Sequence, residues 1–230
     1  MPATKLQIRQ LQASIGYEFT DAALILRALS HRSVGADNNE RLEFLGDSVL
    51  NFVISQRIFA SHPEATEGDL SRLRALLVKG VTLAEISRGL GMGDLLTLGA
   101  GELKSGGHNR SSILADAVEA VLGAILIDGG FEAASATVDR LFSDRLNDLP
   151  PLDELKDPKT RLQEFLQKNQ HSLPGYELVE TTGQAHAATF VVGCRVKGQQ
   201  KETLGRGSSR RKAEQAAAEK MLRLVTGEKA

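Results

Sequence analysis

Two carboxylate pairs in this 230-residue chain fall at helical spacing beside apolar stripes. Glu43 and Asp47 are four residues apart in the run 39–48, Asn-Glu-Arg-Leu-Glu-Phe-Leu-Gly-Asp-Ser, so a helix presents both on one face. That face continues through Leu50 and Ile54. Asp116 and Glu119 are three apart in the run 112–120, Ser-Ile-Leu-Ala-Asp-Ala-Val-Glu-Ala, and their face runs on through Gly123 to Leu126. Like charges at this spacing cost roughly 0.2–0.5 kcal/mol in water, and an unpaired buried charge costs several kcal/mol more. Either the acids are solvated or paired, for example with Arg41, or the two helices pack face to face and four carboxylates converge. Gly123 would let a neighbouring helix come close. Four converging carboxylates require a cation. Hard oxygen donors suit Mg²⁺, with Mn²⁺ as a substitute, and the lack of cysteine or paired histidine nearby argues against zinc. Such a cluster can activate water and take a phosphodiester oxygen.

A second kind of chemistry lies near the C-terminus, in the run 207–214, Gly-Ser-Ser-Arg-Arg-Lys-Ala-Glu. Ser208 or Ser209 is a suitable helix N-cap, and Arg210, Arg211 and Lys212 then fill the first turn. The helix dipole disfavours cations there. The arrangement makes sense where an anion docks on the free N–H groups and the cations together. The plainer reading is a solvated basic run. The small residues Ala213, Ala216, Ala217 and Ala218 offer a face for packing on a sheet.

The elements that must position these groups fall into two zones. Apolar residues recur at helical spacing over 6–11, 24–29, 42–58, 70–78, 83–90, 113–127 and 131–146, with no convincing strand pattern among them. The glycine-rich stretch 99–110 reads as a surface or ligand-contacting loop. Pro150 and Pro151 stop the last of these helices. Beyond them come a helix over 158–168, β-rich segments over 176–182, 189–196 and 202–207, and a final helix over 208–225. Charge divides at the same place. Residues 1–155 hold 14 Lys/Arg against 21 Asp/Glu, a net −7, and residues 156–230 hold 14 against 8, a net +6. The basic part is the one suited to phosphate contact.

Composition excludes several classes. An apolar fraction of 41% supports a folded core rather than disorder. One cysteine, Cys194, rules out an intrachain disulfide and fits a reducing cytoplasm. The N-terminal stretch lacks the apolar core of a signal peptide, and no apolar run reaches the length of a membrane span. No Walker-type loop is present, so no nucleotide cofactor is expected. The five histidines show no metal-ligand or triad spacing with one another.

Residues 40–48 closely resemble the signature segment of the ribonuclease III family, and 112–119 resemble its second acidic segment. Residues 157–225 resemble its double-stranded RNA-binding domain, including the run 158–164, Pro-Lys-Thr-Arg-Leu-Gln-Glu, and the basic run 208–212. The resemblance covers nearly the whole chain in the right order. It implies an all-α endonuclease domain over 1–149, a linker over 150–156 and a small α-β-β-β-α RNA-binding domain over 157–226. It implies Glu43, Asp47, Asp116 and Glu119 as Mg²⁺ ligands, with Asp47 and Glu119 catalytic. Glu40 and Glu67 match acids near the cleavage valley, and Phe44 matches an aromatic knob at a homodimer interface. In the RNA-binding domain, Thr160, Gln163 and Glu164 would face one minor groove and the turn 183–186, with His186, the next. Arg210, Arg211 and Lys212 would reach the phosphates between. The implied activity is hydrolysis of duplex RNA to 5′-phosphate and 3′-hydroxyl ends with two-nucleotide 3′ overhangs, in processing structured precursors such as rRNA and mRNA. The rivals are a non-catalytic double-stranded RNA-binding regulator and a phosphohydrolase acting on small esters.

Overall fold

The computed structural model describes residues 4–183, 188–199 and 201–227. It divides into two units, Met1–Leu149 and Pro150–Ala230. In the first, helices α1 (Lys5–Ile15), α2 (Ala22–Ala28), α4 (Glu67–Val78), α5 (Gly80–Gly89) and the short α6 (Ala100–Lys104) surround a central pair. That pair is α3 (Glu40–Ser61) and the long α7 (Ser111–Asn147). Gly130 interrupts α7 with φ of 79°, a conformation that glycine adopts at little cost.

The central pair forms because each helix carries a continuous apolar stripe. Leu50, Val53, Ile54 and Ile58 of α3 are buried, as are Leu114, Val118, Val121, Leu122 and Ile125 of α7. Each such side chain contributes roughly 1.5–3 kcal/mol on burial. The two helices touch backbone to backbone. A Cβ added at Gly46 would lie 1.7 Å from the Glu119 carbonyl oxygen, and one at Gly123 would lie 2.1 Å from that of Leu42. The close approach expected at Gly123 is therefore present, and Gly46 is its partner.

Local signals set the helix starts. Thr66 and Asp69 form a capping box at α4, each bonding the other's backbone N–H. Asn38 Oδ1 accepts the Glu40 N–H at the head of α3. Within 99–110, the loop expected from the sequence contains α6 and a 3₁₀ turn, Gly107–Asn109. Gly99 is pressed against the backbone of Ser33, where a Cβ would come within 2.4 Å. The glycines there serve close packing as well as turning.

The second unit runs α8 (Pro158–Lys168), β1 (Gly175–Thr182), β2 (Thr189–Arg195), β3 (Thr203–Gly207) and α9 (Arg210–Thr226). The strands form an antiparallel sheet in the order β1-β2-β3, with a register shift between Leu178 and Glu180. Leu162 and Leu166 of α8 pack with Cys194, Val196, Ala217, Ala218, Met221 and Leu222. Alanines let α9 lie directly on β3, where a Cβ at Gly205 would lie 2.1 Å from the Ala213 carbonyl oxygen. Among the described residues, no helix is long and apolar enough to cross a membrane.

Candidate active site and RNA-binding face

The crossing of α3 and α7 decides where the acids meet. Glu43 lies one turn before Gly46 on α3, and Asp116 and Glu119 lie before Gly123 on α7. One ligand-capable oxygen from each of Glu43, Asp116 and Glu119 lies within 4.8 Å of the others. Asp47 is not part of this triad. It is exposed, and its Oδ1 accepts the Asn51 side-chain amide at 2.7 Å. It still faces Glu119 closely enough to repel it.

Burial and mutual repulsion dominate the electrostatics of the cluster. Burial pushes Glu119 up to about 8, with repulsion from Asp47, Asp116 and Glu43 adding to it. Burial raises Glu43, and Asp116, Glu40 and Asp47 raise it further. Burial likewise raises Asp116, against the opposing pull of His31 and Arg32. The nearest cations thus offset the cluster in part.

A cleft of about 300 Å³ adjoins the acids, lined by Glu43 and Asp116 together with His31, Arg32, Asn39, Glu40, Glu102 and Arg110. Glu40 faces Arg32 at 3.5 Å, and Arg110 holds Glu102 at 2.8 Å. His31 is buried, and its Nδ1 accepts the Ser33 N–H at 3.2 Å. The Asn39 amide nitrogen is buried with no hydrogen-bond partner. His31, Arg32, Glu102 and Arg110 have no partner at helical spacing that marks them in the sequence, and Asn39 enters there only as the head of the run 39–48. Glu67 does not line this cleft. It is exposed at the start of α4, where it accepts the Ser71 hydroxyl at 2.8 Å.

Phe44 is 78% exposed, on the side of α3 opposite the core. Phe52 and Phe59 continue the same stripe at 57% and 71% exposed, and Phe52 meets Phe131 of α7 edge to face at 5.6 Å. Phe52 and Phe59 also escaped the sequence reading, since a phenylalanine in a helix is equally compatible with core.

In the second unit, Gln163 and Glu164 are exposed on α8 and Thr160 is half-buried. The Thr160 hydroxyl donates to Asp157 at 3.0 Å, and Glu164 takes Lys156 at 2.7 Å. Ser209 caps α9 by accepting the Lys212 N–H, so Arg210, Arg211 and Lys212 occupy its first turn, all exposed. Burial raises Asp157, but hydrogen bonds from Gln215 and Thr160 outweigh it and hold the carboxyl below its usual range. Hydrogen bonds from Lys159 and then Arg210 hold Glu214 below its own. His186 lies outside the described residues, as do the Gln184 and Ala185 of its turn.

A helical unit with clustered, partly buried carboxylates is thus followed by a small α-β-β-β-α unit with a basic helix start. Residues 21–146 match the family model described as Ribonuclease-III-like, and residues 158–225 match the double-stranded RNA binding motif. The chain is 57% identical to Ribonuclease 3 of Alkalilimnicola ehrlichii over 93% of both chains. It is 55% identical to Ribonuclease 3 of Hahella chejuensis over 94% of this chain and 96% of that one. The nuclease domain of ribonuclease III from Campylobacter jejuni superposes with a TM-score of 0.60 at 42% identity, covering 61% of this chain and 99% of that one. The chain belongs to the ribonuclease III family: an endoribonuclease with a nuclease domain and a double-stranded RNA-binding domain.

Proposed function

We propose that the protein hydrolyses phosphodiesters in duplex RNA with Mg²⁺, leaving 5′-phosphate and 3′-hydroxyl ends and two-nucleotide 3′ overhangs, and that it processes structured precursors such as rRNA and mRNA in the cytoplasm. The observation that carries this reading is the meeting of Glu43, Asp116 and Glu119 within 4.8 Å. The donor set fits a hard divalent ion: carboxylate oxygens only, raised in pKa by burial and by one another. Glu43, Asp47, Asp116 and Glu119 would hold Mg²⁺ or Mn²⁺, which supplies Lewis-acid activation of water and neutralises charge on the phosphodiester. Asp47 and Glu119 are the pair assigned to catalysis, and Glu40 and Glu67 are assigned to the cleavage valley. Arg32 and Arg110 line the cleft and orient an anionic substrate beside the acids. The unpartnered Asn39 amide can donate to a water or phosphate oxygen there.

The duplex is held by the second unit. Thr160, Gln163 and Glu164 read a minor groove, His186 and its turn read the next, and Arg210, Arg211 and Lys212 contact the phosphates between. That arrangement selects A-form shape and 2′-hydroxyls rather than base sequence. A homodimer is supported by the exposed Phe44, Phe52 and Phe59, since large apolar side chains grouped on one exposed helix face mark an interface. A two-fold axis would present equivalent sites to the two antiparallel strands.

The test is incubation with a long RNA duplex, with and without Mg²⁺, followed by end analysis. Cleavage confined to the Mg²⁺ arm, with the stated ends, is expected. Binding without cleavage in both arms would instead make the protein a non-catalytic RNA-binding regulator.

A further inference from the structure

The two elements assigned to RNA contact, the start of α8 and the start of α9, are tied through one acid. Glu214 is 14% exposed and takes Lys159 Nζ at 2.6 Å through one oxygen and Arg210 Nε at 3.0 Å through the other. The next residue repeats the link. Gln215 accepts the Lys159 backbone N–H at 3.0 Å and donates to Asp157 Oδ1 at 2.8 Å. Asp157 in turn accepts the Thr160 hydroxyl. The Lys159 ammonium also stands 4.4 Å from the ring centroid of Tyr176, which fixes it from a second side. A continuous set of bonds therefore runs from Arg210, in the phosphate row, to Thr160, in the minor-groove row.

Charge alone makes Glu214 unfavourable here. A carboxylate one turn behind three cations lowers the attraction of that row for phosphate. An alanine at this position would leave a more basic surface. Yet a long arginine side chain left loose must give up its rotamer freedom when RNA binds, and pre-ordering it removes that cost. A minor-groove row and a phosphate row also discriminate duplex forms only when their separation is held.

We propose that Glu214 is a positioning residue for duplex recognition: it holds Arg210 and the start of α8 in one register, so that the phosphate row and the minor-groove row keep the spacing of A-form RNA. This rests on the reading of Arg210 as a phosphate contact. It predicts an effect opposite in sign to that of charge counting. Removal of this acid weakens RNA binding, although it makes the surface more positive.

The experiment measures binding of the full chain, in chelator so that no cleavage occurs, to RNA and DNA duplexes of equal length. Glu214→Ala is expected to weaken RNA-duplex binding on the order of tenfold while DNA-duplex binding stays the same or tightens. Glu214→Gln keeps one acceptor oxygen and should fall between. In an Arg210→Ala background, the loss from Glu214→Ala should shrink, because part of its action passes through Arg210. Lys159→Met with Glu214→Leu replaces the ion pair by apolar groups of similar size and should keep the fold while still releasing Arg210. RNA binding as tight as, or tighter than, wild type in Glu214→Ala, or in the double variant with its fold shown intact by thermal unfolding, overturns the proposal. Wild-type affinity in Arg210→Ala overturns the phosphate-contact reading instead.

Discussion

The two carboxylate-rich regions of this molecule are wired in opposite ways. At the crossing of α3 and α7, Glu43, Asp116 and Glu119 face one another, and burial and repulsion raise all three. In the RNA-binding unit, Asp157 and Glu214 are enclosed by donors, and hydrogen bonds hold both below their usual range. The second region completes its charges internally and gains a fixed shape. The first leaves its charges to be completed from outside, which is what a cation-dependent site requires. The same residue types thus serve as scaffold in one place and, in the other, as a cluster that could hold a metal ion.

The largest effect expected is on turnover. Glu119→Gln should reduce cleavage of duplex RNA in Mg²⁺ by at least about 10²–10³-fold, the scale of losing one preorganised charge at a reacting phosphate. Its duplex affinity, read by filter binding or mobility shift, should stay near wild type. Equal loss of affinity and cleavage would show that Glu119 acts through the fold or through RNA contact.

Separating the regions should split the activities. Residues 1–149 alone should cleave weakly at low salt and lose activity steeply as salt rises, because they carry an acidic surplus and lack the basic unit. Residues 156–230 alone should bind duplex RNA but not a DNA duplex of the same length. Equal affinity for the two duplexes would contradict the assigned binding mode.

A smaller effect tests how the first region is assembled. Gly46→Ala would place a methyl group into the Glu119 carbonyl, so the two helices must separate. Overpacking of this kind costs about 1–3 kcal/mol, measurable by denaturant unfolding. Cleavage should fall by more than the loss of stability explains, since the same shift moves Glu43 away from Asp116 and Glu119. Unchanged turnover in a destabilised variant would detach the site from the crossing.

The smallest effects are slopes with pH. Glu119 binds its proton more tightly folded than unfolded, so between its ordinary 4.5 and about 8 the folded chain holds more protons. In the absence of divalent ions, that contribution falls as pH rises through this window. Added Mg²⁺ should therefore raise the melting temperature of the nuclease domain more at pH 8 than at pH 6. Asp157 and Glu214 act in the reverse sense: their lowered values add stability above the usual carboxylate range, and it is lost as pH falls below that range. Melting each domain alone, in chelator, across pH should give slopes of opposite sign. Parallel slopes would show that the two regions are not wired differently.

Much of this was legible in residue order alone. Helical spacing placed Glu43 with Asp47 and Asp116 with Glu119 on common faces, and it located both zones of the chain. Capping chemistry marked Ser209 as one of two choices for the start of α9, and the structure selects it over Ser208. The alanine face of α9 and the close approach at Gly123 also follow from residue size. Apart from the helix that meets Gly123, which only packing supplies, these features depend on neighbours within about one turn, so local stereochemistry suffices to state them.

Convergence between distant segments required the tertiary structure. Gly46 and Gly123 set the depth of the helix crossing, and that depth brings Glu43 to Asp116 and Glu119 while Asp47 turns to Asn51. The packing of the segment around His31 and of α6 then delivers Arg32, Glu102 and Arg110 to the same cleft. Exposure of Phe52 and Phe59 depends on which side of α3 the other helices cover. The bond from Glu214 to Lys159 joins residues 55 positions apart. No period in the chain encodes such pairs, because side chains far apart in sequence meet only after the backbone between them has chosen its path.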